Sequence, residues 1–302
     1  MWGVVGKSET STRVAMSEGR TPHAFRLGGT NISHDVVARD DSRDETMTTS
    51  FNQNQRRHVK IGDATIYIEE HGHRDNLALV LLHGGMGNLS DFSALIEPLS
   101  ENHHVVAIDS RGHGRTTLGS ARLTYEQLTR DVIAIADALA LPRFGVVGFS
   151  DGGIVGYRLA LDYPSRISHL VTLGAPNTLP QSTEKLLAGV TAQNWDAKFP
   201  ETKVQYEALN PEPDFERWVK ASQQMWLDRS GYPGERVATI HIPTLIIRGD
   251  DDHLFSLDEA VELRKRIAKS RLLNVPFASH TVGTDQAETC GRAIKQFLAS
   301  GE

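Results

Sequence analysis

The chain has 302 residues, of which 39% are hydrophobic and 23% charged, with a formal net charge of −6. That length and composition are typical of a soluble protein with one large domain or two small ones. The sequence contains no run of about 18 apolar residues, so no membrane-spanning helix is predicted. The acidic balance and the lack of a basic stripe exclude an obvious nucleic-acid partner.

Residues 1–54 differ in kind from the remainder. They are rich in Ser, Thr, Asn, Arg and Asp and show no sustained apolar periodicity, so we predict a disordered tail. The segment has no apolar core of a signal peptide, and its acidic residues are unlike an organelle transit peptide. The one cysteine, Cys290, cannot form an internal disulfide. We expect it to be buried in a helix and the protein to be cytoplasmic.

The first predicted elements lead to a glycine-rich turn. Residues 58–70 alternate around Gly62 and predict a hairpin, and the apolar run 77–82 predicts a strand covered on both faces. This strand continues directly into His83-Gly84-Gly85-Met86. A helix follows, for which Ser90 is the expected N-terminal cap, and residues 105–108 predict the next strand.

Strands and helices then alternate along the chain. Strands are predicted at 144–149, 167–173, 244–248 and 271–275, and helices at 124–139, 154–161, from Ser256 onward and at 287–298. The helix that begins after Ser256 has Glu259 at the capping-box position. Such alternation predicts an α/β fold whose sheet is mostly parallel and has helices on both faces.

The alternation stops between residues 177 and 242. Several prolines break this segment into short helices, and it contains three of the four tryptophans, Trp195, Trp218 and Trp226. The bulky residues either form a core for a helical insertion or wall an apolar substrate pocket. We therefore predict a tail at 1–54, a core at 55–176 and 243–302, and a helical cap at 177–242.

A sharp turn around Ser150 links the strand at 144–149 to the next helix. The order Gly148-Phe149-Ser150-Asp151-Gly152 places a serine between two glycines after a β-branched run. This is the pattern of a nucleophile elbow, in which a strained turn lifts one hydroxyl group clear of the sheet. The turn brings chain segments close together, so small residues are needed at Gly148 and Gly152.

A serine nucleophile requires a base and an acid that orients the base. We expect both after later strands, since ligands in open α/β sheets bind at the carboxyl ends of the strands. Two loops qualify, Asp250-Asp251-Asp252 after one strand and Ser279-His280 after the next. His280 is the expected base, whereas the residue types alone do not choose among the three aspartates.

The negative charge that develops during acyl transfer requires hydrogen-bond donors. The backbone N–H of Asp151, at the start of a helix, is one expected donor. The second is expected from the loop His83-Gly84-Gly85-Met86, whose glycines make the backbone flexible.

Five motifs in this order together resemble the α/β-hydrolase fold family. They are the sequences at 148–153, 83–86, 109–114, 249–252 and 278–280. The resemblance covers roughly residues 59–298. It implies that Asp252 is the acid, that the Met86 N–H is the second oxyanion donor, and that the helical cap is inserted after the sixth strand.

Within the family, the pair Ser150-Asp151 is similar to the valacyclovir hydrolase (biphenyl hydrolase-like) group and to many bacterial esterases. Enol-lactonases and cofactor-free haloperoxidases often have methionine after the serine, so Asp151 disfavours them. The resemblance implies an aspartate nucleophile for haloalkane dehalogenases and epoxide hydrolases, so a serine at position 150 disfavours them.

The resulting hypothesis is a serine hydrolase of a small carboxylic ester or lactone that needs no metal or organic cofactor. A carbon–carbon bond hydrolase with the same triad is one alternative. An aminopeptidase is another, with cap acids to bind the substrate amine at Glu207, Glu212, Asp214 or Glu216. A non-catalytic receptor on this scaffold is disfavoured because no triad member is missing. The oligomeric state stays open.

Overall fold

The computed structural model describes residues 55–300, and the predicted tail at 1–54 lies outside the described residues. The described strands are Gln55–Ile61 (β1), Ala64–His71 (β2), Ala78–Leu82 (β3), His104–Ile108 (β4), Phe144–Phe149 (β5), Ile167–Leu173 (β6), Thr244–Gly249 (β7) and Ser270–Val275 (β8). They form one sheet in the order β1-β2-β4-β3-β5-β6-β7-β8. β1 and β2 pair as an antiparallel hairpin, β2 pairs antiparallel with β4, and the later pairs are parallel.

The described α-helices are Ser93–Ser100 (α1), Tyr125–Ala138 (α2), Asp151–Asp162 (α3), Gln181–Ala188 (α4), Ala192–Lys198 (α5), Pro200–Leu209 (α6), Phe215–Leu227 (α7), Leu257–Arg266 (α8), Val282–Asp285 (α9) and Ala287–Ala299 (α10). Short 3₁₀ helices occupy Leu89–Phe92, Arg229–Gly231 and Gly234–Thr239. None of the helices between residues 55 and 300 is long and apolar enough to cross a membrane.

Two hydrophobic clusters lie on opposite faces of the sheet. Along β3, Val80 and Leu82 pack into the cluster that contains residues of α2, α3 and α8. Leu79 and Leu81 belong to the other cluster, with residues of α1 and α10. Successive side chains of a strand point to opposite faces, so an uninterrupted apolar run is what a doubly covered strand requires. The predicted architecture is confirmed.

The starts of the helices agree less closely with the sequence predictions than the strands do. Ser256 and Glu259 form the expected capping box at the start of α8. The prediction that Ser90 caps a helix is wrong, because the Asn88 side chain accepts the Ser90 N–H and caps the 3₁₀ helix Leu89–Phe92. α1 begins one turn later, at Ser93.

Four helices, α4 to α7, lie between β6 and β7, after the sixth strand as expected. We refer to them as the cap helices. Neither α4 nor α5 has a fully buried residue, whereas α7 buries six. α7 is therefore the cap helix that anchors the insertion. The division of the chain at 177 and 242 stays a prediction.

Cys290 lies on α10 and is fully buried. Its Sγ donates a hydrogen bond to the Val282 carbonyl at 3.4 Å, and burial raises the pKa of the thiol to about 11. The expected structural role of this side chain fits its position in the core.

Candidate active site

Ser150 stands at the junction of β5 and α3 with φ of 49° and ψ of −114°. A positive φ is unusual for a residue with a side chain and indicates local strain. A Cβ at Gly148 would lie 2.2 Å from the Gly152 carbonyl oxygen, and one at Gly152 would lie 2.0 Å from that of Leu82. These distances leave no room for any side chain. The turn therefore requires glycine at both positions.

His280 lies between Ser150 and Asp252. Its Nε2 is 3.0 Å from the Ser150 Oγ, and its Nδ1 is 3.0 Å from each carboxylate oxygen of Asp252. The carboxylate accepts a hydrogen bond from Nδ1–H. In a neutral ring, Nε2 is therefore left as the acceptor that faces the serine hydroxyl. The three side chains singled out in the sequence therefore lie together, at the carboxyl ends of β5, β7 and β8.

The three consecutive aspartates have different surroundings. Asp250 and Asp251 are exposed, whereas the Asp252 side chain is fully buried. One Asp252 oxygen also accepts the backbone N–H groups of Leu254 and Phe255, at 2.9 and 3.1 Å. These bonds orient the carboxylate, so only the third aspartate can face the imidazole.

Arg248 supports the loop that carries Asp252. Its guanidinium group is buried and donates to the carbonyl oxygens of Asp252 and Phe255. The sequence interpretation missed this residue. The signal that could have identified it is that Arg248 is the one charged residue of the buried strand β7.

Gly174, which the sequence interpretation also missed, follows β6 with φ of 58°. A Cβ there would lie 3.1 Å from a carboxylate oxygen of Asp252 and 3.2 Å from Nδ1 of His280. Its lack of a side chain gives the Asp252 carboxylate and the His280 imidazole the space in which they meet.

The two amides expected to bind an oxyanion belong to Met86 and Asp151. Met86 has φ of 61°, and Asp151 is the first residue of α3. Within residues 55–300, neither N–H donates to a protein acceptor. Free donors at a helix N-terminus attract negative charge.

His83 braces the loop in front of these amides. Its Nε2 accepts the Ser110 N–H at 2.9 Å, so the proton of the neutral ring is on Nδ1, which donates to the Gly84 carbonyl at 2.7 Å. Its own carbonyl accepts the Gly152 N–H at 3.1 Å, which ties the loop to the elbow. Burial lowers the pKa of His83 to about 4, so the ring is neutral at pH 7.

A cavity of about 450 Å³ opens onto Ser150 and His280. Most of its wall is apolar, and half of its lining residues lie on the cap helices or on the short segments that join them. Its lining includes Gly85, Tyr125, Asp151, Ile154, Pro176, Leu186, Leu187, Val190, Trp195, Phe199, Trp226, Tyr232 and Leu254. Two of the three tryptophans named as candidate pocket residues, Trp195 and Trp226, are among them.

Trp218 does not line this cavity, and the expectation that it walls the pocket is corrected. Only 1% of the residue is exposed. Its ring stacks on Tyr206 at 4.2 Å between centroids and meets the edge of His113 at 5.1 Å. Trp218 therefore packs the cap helices against the core.

The charged groups of the cavity differ from those required for the aminopeptidase hypothesis. Glu207, Glu212, Asp214 and Glu216 are all exposed, and none lines the cavity. Asp151 is the one carboxylate in its described lining. Among residues 55–300, no group of three or more His, Cys, Asp or Glu side chains is arranged to hold a metal ion.

The α/β-hydrolase fold model matches this chain over residues 78–230, just over half of its length. The chain therefore belongs to the α/β-hydrolase fold family, and it is a hydrolase. The expected resemblance is confirmed at this level.

Curated relatives match along most of their own length. A protein of Variovorax paradoxus (strain S110), named provisionally as carbamate hydrolase RutD, is 29% identical over 78% of this chain and 96% of its own. The serine hydrolase BPHL of Mus musculus is 27% identical over 73% of this chain and 79% of its own. A hydrolase structure from Pseudomonas aeruginosa PA01 matches with a TM-score of 0.70 and 23% identity, covering 81% of this chain and 98% of that one. The last likeness shows the fold alone.

Proposed function

We propose that the chain is a serine hydrolase that cleaves a carboxylic ester or lactone through an acyl-enzyme intermediate. The observation that carries the proposal is the continuous hydrogen-bond chain from Asp252 through His280 to the Ser150 hydroxyl, with 3.0 Å at each step. It ends at the apolar cavity. A hydroxyl group becomes nucleophilic when an adjacent base removes its proton, and here that base is already oriented.

In this mechanism Ser150 attacks the substrate carbonyl while Nε2 of His280 takes the hydroxyl proton. The Asp252 carboxylate holds the Nδ1 tautomer and stabilises the imidazolium that forms. The N–H groups of Met86 and Asp151 donate to the oxyanion. His280 then gives the proton to the leaving alcohol, and a water molecule, activated by the same base, releases the acid.

The apolar wall supports a substrate whose acyl portion is hydrocarbon. Trp195 and Trp226 supply aromatic surface next to the nucleophile. Such a lining favours esters with apolar acyl chains over strongly charged substrates. A cytoplasmic location is also part of the proposal, supported by the single cysteine.

The test is turnover of p-nitrophenyl acetate by the wild-type chain and by Ser150→Ala. We expect the substitution to lower kcat at least about 1,000-fold while the circular dichroism spectrum is unchanged. A fluorophosphonate probe should label the wild type on Ser150 and leave the variant unlabelled. Wild-type turnover by the variant would refute the proposal.

The carbon–carbon bond hydrolase stays an alternative because it would use the same three side chains. A relative from Pseudomonas putida named 2-hydroxy-6-oxo-2,4-heptadienoate hydrolase is 25% identical over 74% of this chain. A panel of simple esters, lactones, vinylogous diketones and aminoacyl amides separates the candidates. A kcat/KM for a diketone that exceeds those of all esters and lactones would replace the leading proposal.

A further inference from the structure

The Asp151 carboxyl group joins three parts of the molecule. Its Oδ1 accepts the Tyr125 hydroxyl hydrogen at 2.7 Å, and its Oδ2 accepts the Trp226 indole N–H at 2.7 Å. Tyr125 begins α2 in the core, Trp226 lies near the end of cap helix α7, and Asp151 itself begins α3 beside Ser150. All three side chains are buried. One carboxyl group therefore ties a cap helix to the nucleophile elbow.

Gly85 lies directly against this contact. A Cβ at Gly85 would be 2.5 Å from Oδ2 of Asp151 and 2.9 Å from the Trp226 ring. Both groups thus pack against the same side of the backbone that leads into Met86, the side on which a Cβ of Gly85 would stand. Loss of either group would remove the support on that side and leave this backbone free to shift.

Trp226 is fixed at a second point. Its carbonyl oxygen accepts the Tyr232 hydroxyl hydrogen at 2.9 Å, and the Tyr232 ring meets the edge of Tyr125 at 5.3 Å. Trp226 is therefore held at its indole nitrogen and at its backbone carbonyl oxygen. The bond at the indole nitrogen favours one orientation of the ring.

We propose that Asp151 is a positioning residue: by holding the Trp226 indole against Gly85, its carboxyl group fixes the loop that carries the Met86 amide. The position of the Trp226 indole is thereby coupled to the geometry of the oxyanion-binding amides. This inference rests on the proposed hydrolase function, and it concerns the side chain of Asp151, whereas the proposed mechanism uses only its backbone N–H.

The test substrate is p-nitrophenyl acetate, whose acyl group is too small to depend on the apolar wall. Trp226→Phe removes the indole N–H and keeps an aromatic ring. We expect kcat per active site to fall about tenfold with little change in KM, less than the ~100-fold that outright loss of an oxyanion donor costs. Tyr125→Phe should act in the same direction.

Sites are counted by titration with a fluorophosphonate, so that a misfolded fraction does not lower the measured kcat. Asp151→Asn keeps the shape of the side chain and one acceptor oxygen, and we expect it to retain more activity than Asp151→Ala. The double variant Asp151→Ala/Trp226→Phe should be no slower than Asp151→Ala alone, because the two substitutions break the same contact.

Trp218→Phe is the matched control. The Trp218 indole N–H has no hydrogen-bond partner in the described part of the chain, and its ring lies away from the cavity. The kcat per site of Trp218→Phe should therefore equal that of the wild type. Equal kcat for Trp226→Phe and the wild type, or fully additive losses in the double variant, would overturn the positioning role. Activity of Ser150→Ala would instead overturn the hydrolase proposal itself.

Discussion

The Asp252 carboxylate presents both of its oxygens to one nitrogen of His280, each at 3.0 Å from Nδ1. Two exposed aspartates stand immediately before it, and both lack this contact. The three side chains are chemically identical and differ only in position. Substituting them one at a time therefore distinguishes the loss of a negative charge from the loss of the contact with His280.

Asp252→Asn should lower kcat for p-nitrophenyl acetate about 10⁴-fold, since an amide does not hold the Nδ1 tautomer that a carboxylate holds. Asp251→Asn removes the same charge one residue earlier, and we expect kcat within about twofold of the wild type. Steady-state kinetics with titrated sites measures both. Similar losses in the two variants would contradict the assignment of the acid.

Gly152→Ala should prevent the elbow from forming. The added methyl carbon would lie 2.0 Å from the Leu82 carbonyl oxygen, a backbone atom that cannot move without distorting β3. We expect a loss of about 4 kcal/mol or more in the free energy of unfolding, or no folded protein.

Gly189→Ala is the control for this substitution. Gly189 has a helical backbone, and a Cβ there would lie 3.5 Å from the Leu186 carbonyl oxygen, an ordinary contact. Its unfolding free energy in urea should lie within about 1 kcal/mol of the wild type. A Gly152→Ala chain as stable as this control would show that the elbow relaxes.

Trp195→Ala should change substrate preference with little change in the chemistry. The ring lines the cavity next to Trp226, with 6.0 Å between their centroids. Loss of about 55 Å² of apolar contact with a longer acyl chain costs about 1.4 kcal/mol. We therefore expect kcat/KM for p-nitrophenyl hexanoate to fall about tenfold relative to the acetate. An unchanged ratio of the two esters would exclude Trp195 from the acyl pocket.

Two buried histidines should make the fold sensitive to acid. Burial lowers the pKa of His83 to about 4 and that of His113 to about 3, below the ordinary value of 6.5. Between pH 6.5 and 4 the unfolded chain binds these protons and the folded chain does not, so the free energy of unfolding falls as the pH falls. The slope is about 1.4 kcal/mol per pH unit for each histidine.

Urea unfolding of the wild type and of His113→Asn between pH 7 and 4.5 measures this effect. The difference between the two slopes isolates one histidine from the carboxyl groups that titrate in the same range, including Asp91, whose pKa burial raises to about 7. His241→Asn, at an exposed position, should leave the slope unchanged. Parallel curves for wild type and His113→Asn would refute the prediction.

Motif order was sufficient to predict the sheet, the turn at Ser150 and the strand ends after which Asp252 and His280 lie. Ser150 and His280 could be selected because each stands alone in a loop at the expected place. The choice of Asp252 depended on the family resemblance, since the bonds that orient it come from the backbone of Leu254 and Phe255 and leave no trace in side-chain pattern.

The cap tryptophans show where sequence interpretation fails. Trp218 and Trp226 are eight residues apart on α7, which separates them by only about 80° around the helix. Both therefore lie on its buried side. Whether an indole on that side meets the core or the cavity depends on the position of the helix along the sheet, and no periodicity records that position. Tyr125 and Gly174 were missed for the same reason, because their importance comes from partners distant in the chain.

The burial of Cys290 has a practical consequence for measuring the position of the cap helices. A thiol that is inaccessible and has a pKa near 11 resists alkylation at neutral pH. A second cysteine placed at Leu186, which is 52% exposed on α4, would thus be the only one that a maleimide dye labels. The distance of α4 from a fluorophore that an active-site inhibitor attaches to Ser150 can then be measured in a chain that is otherwise unaltered.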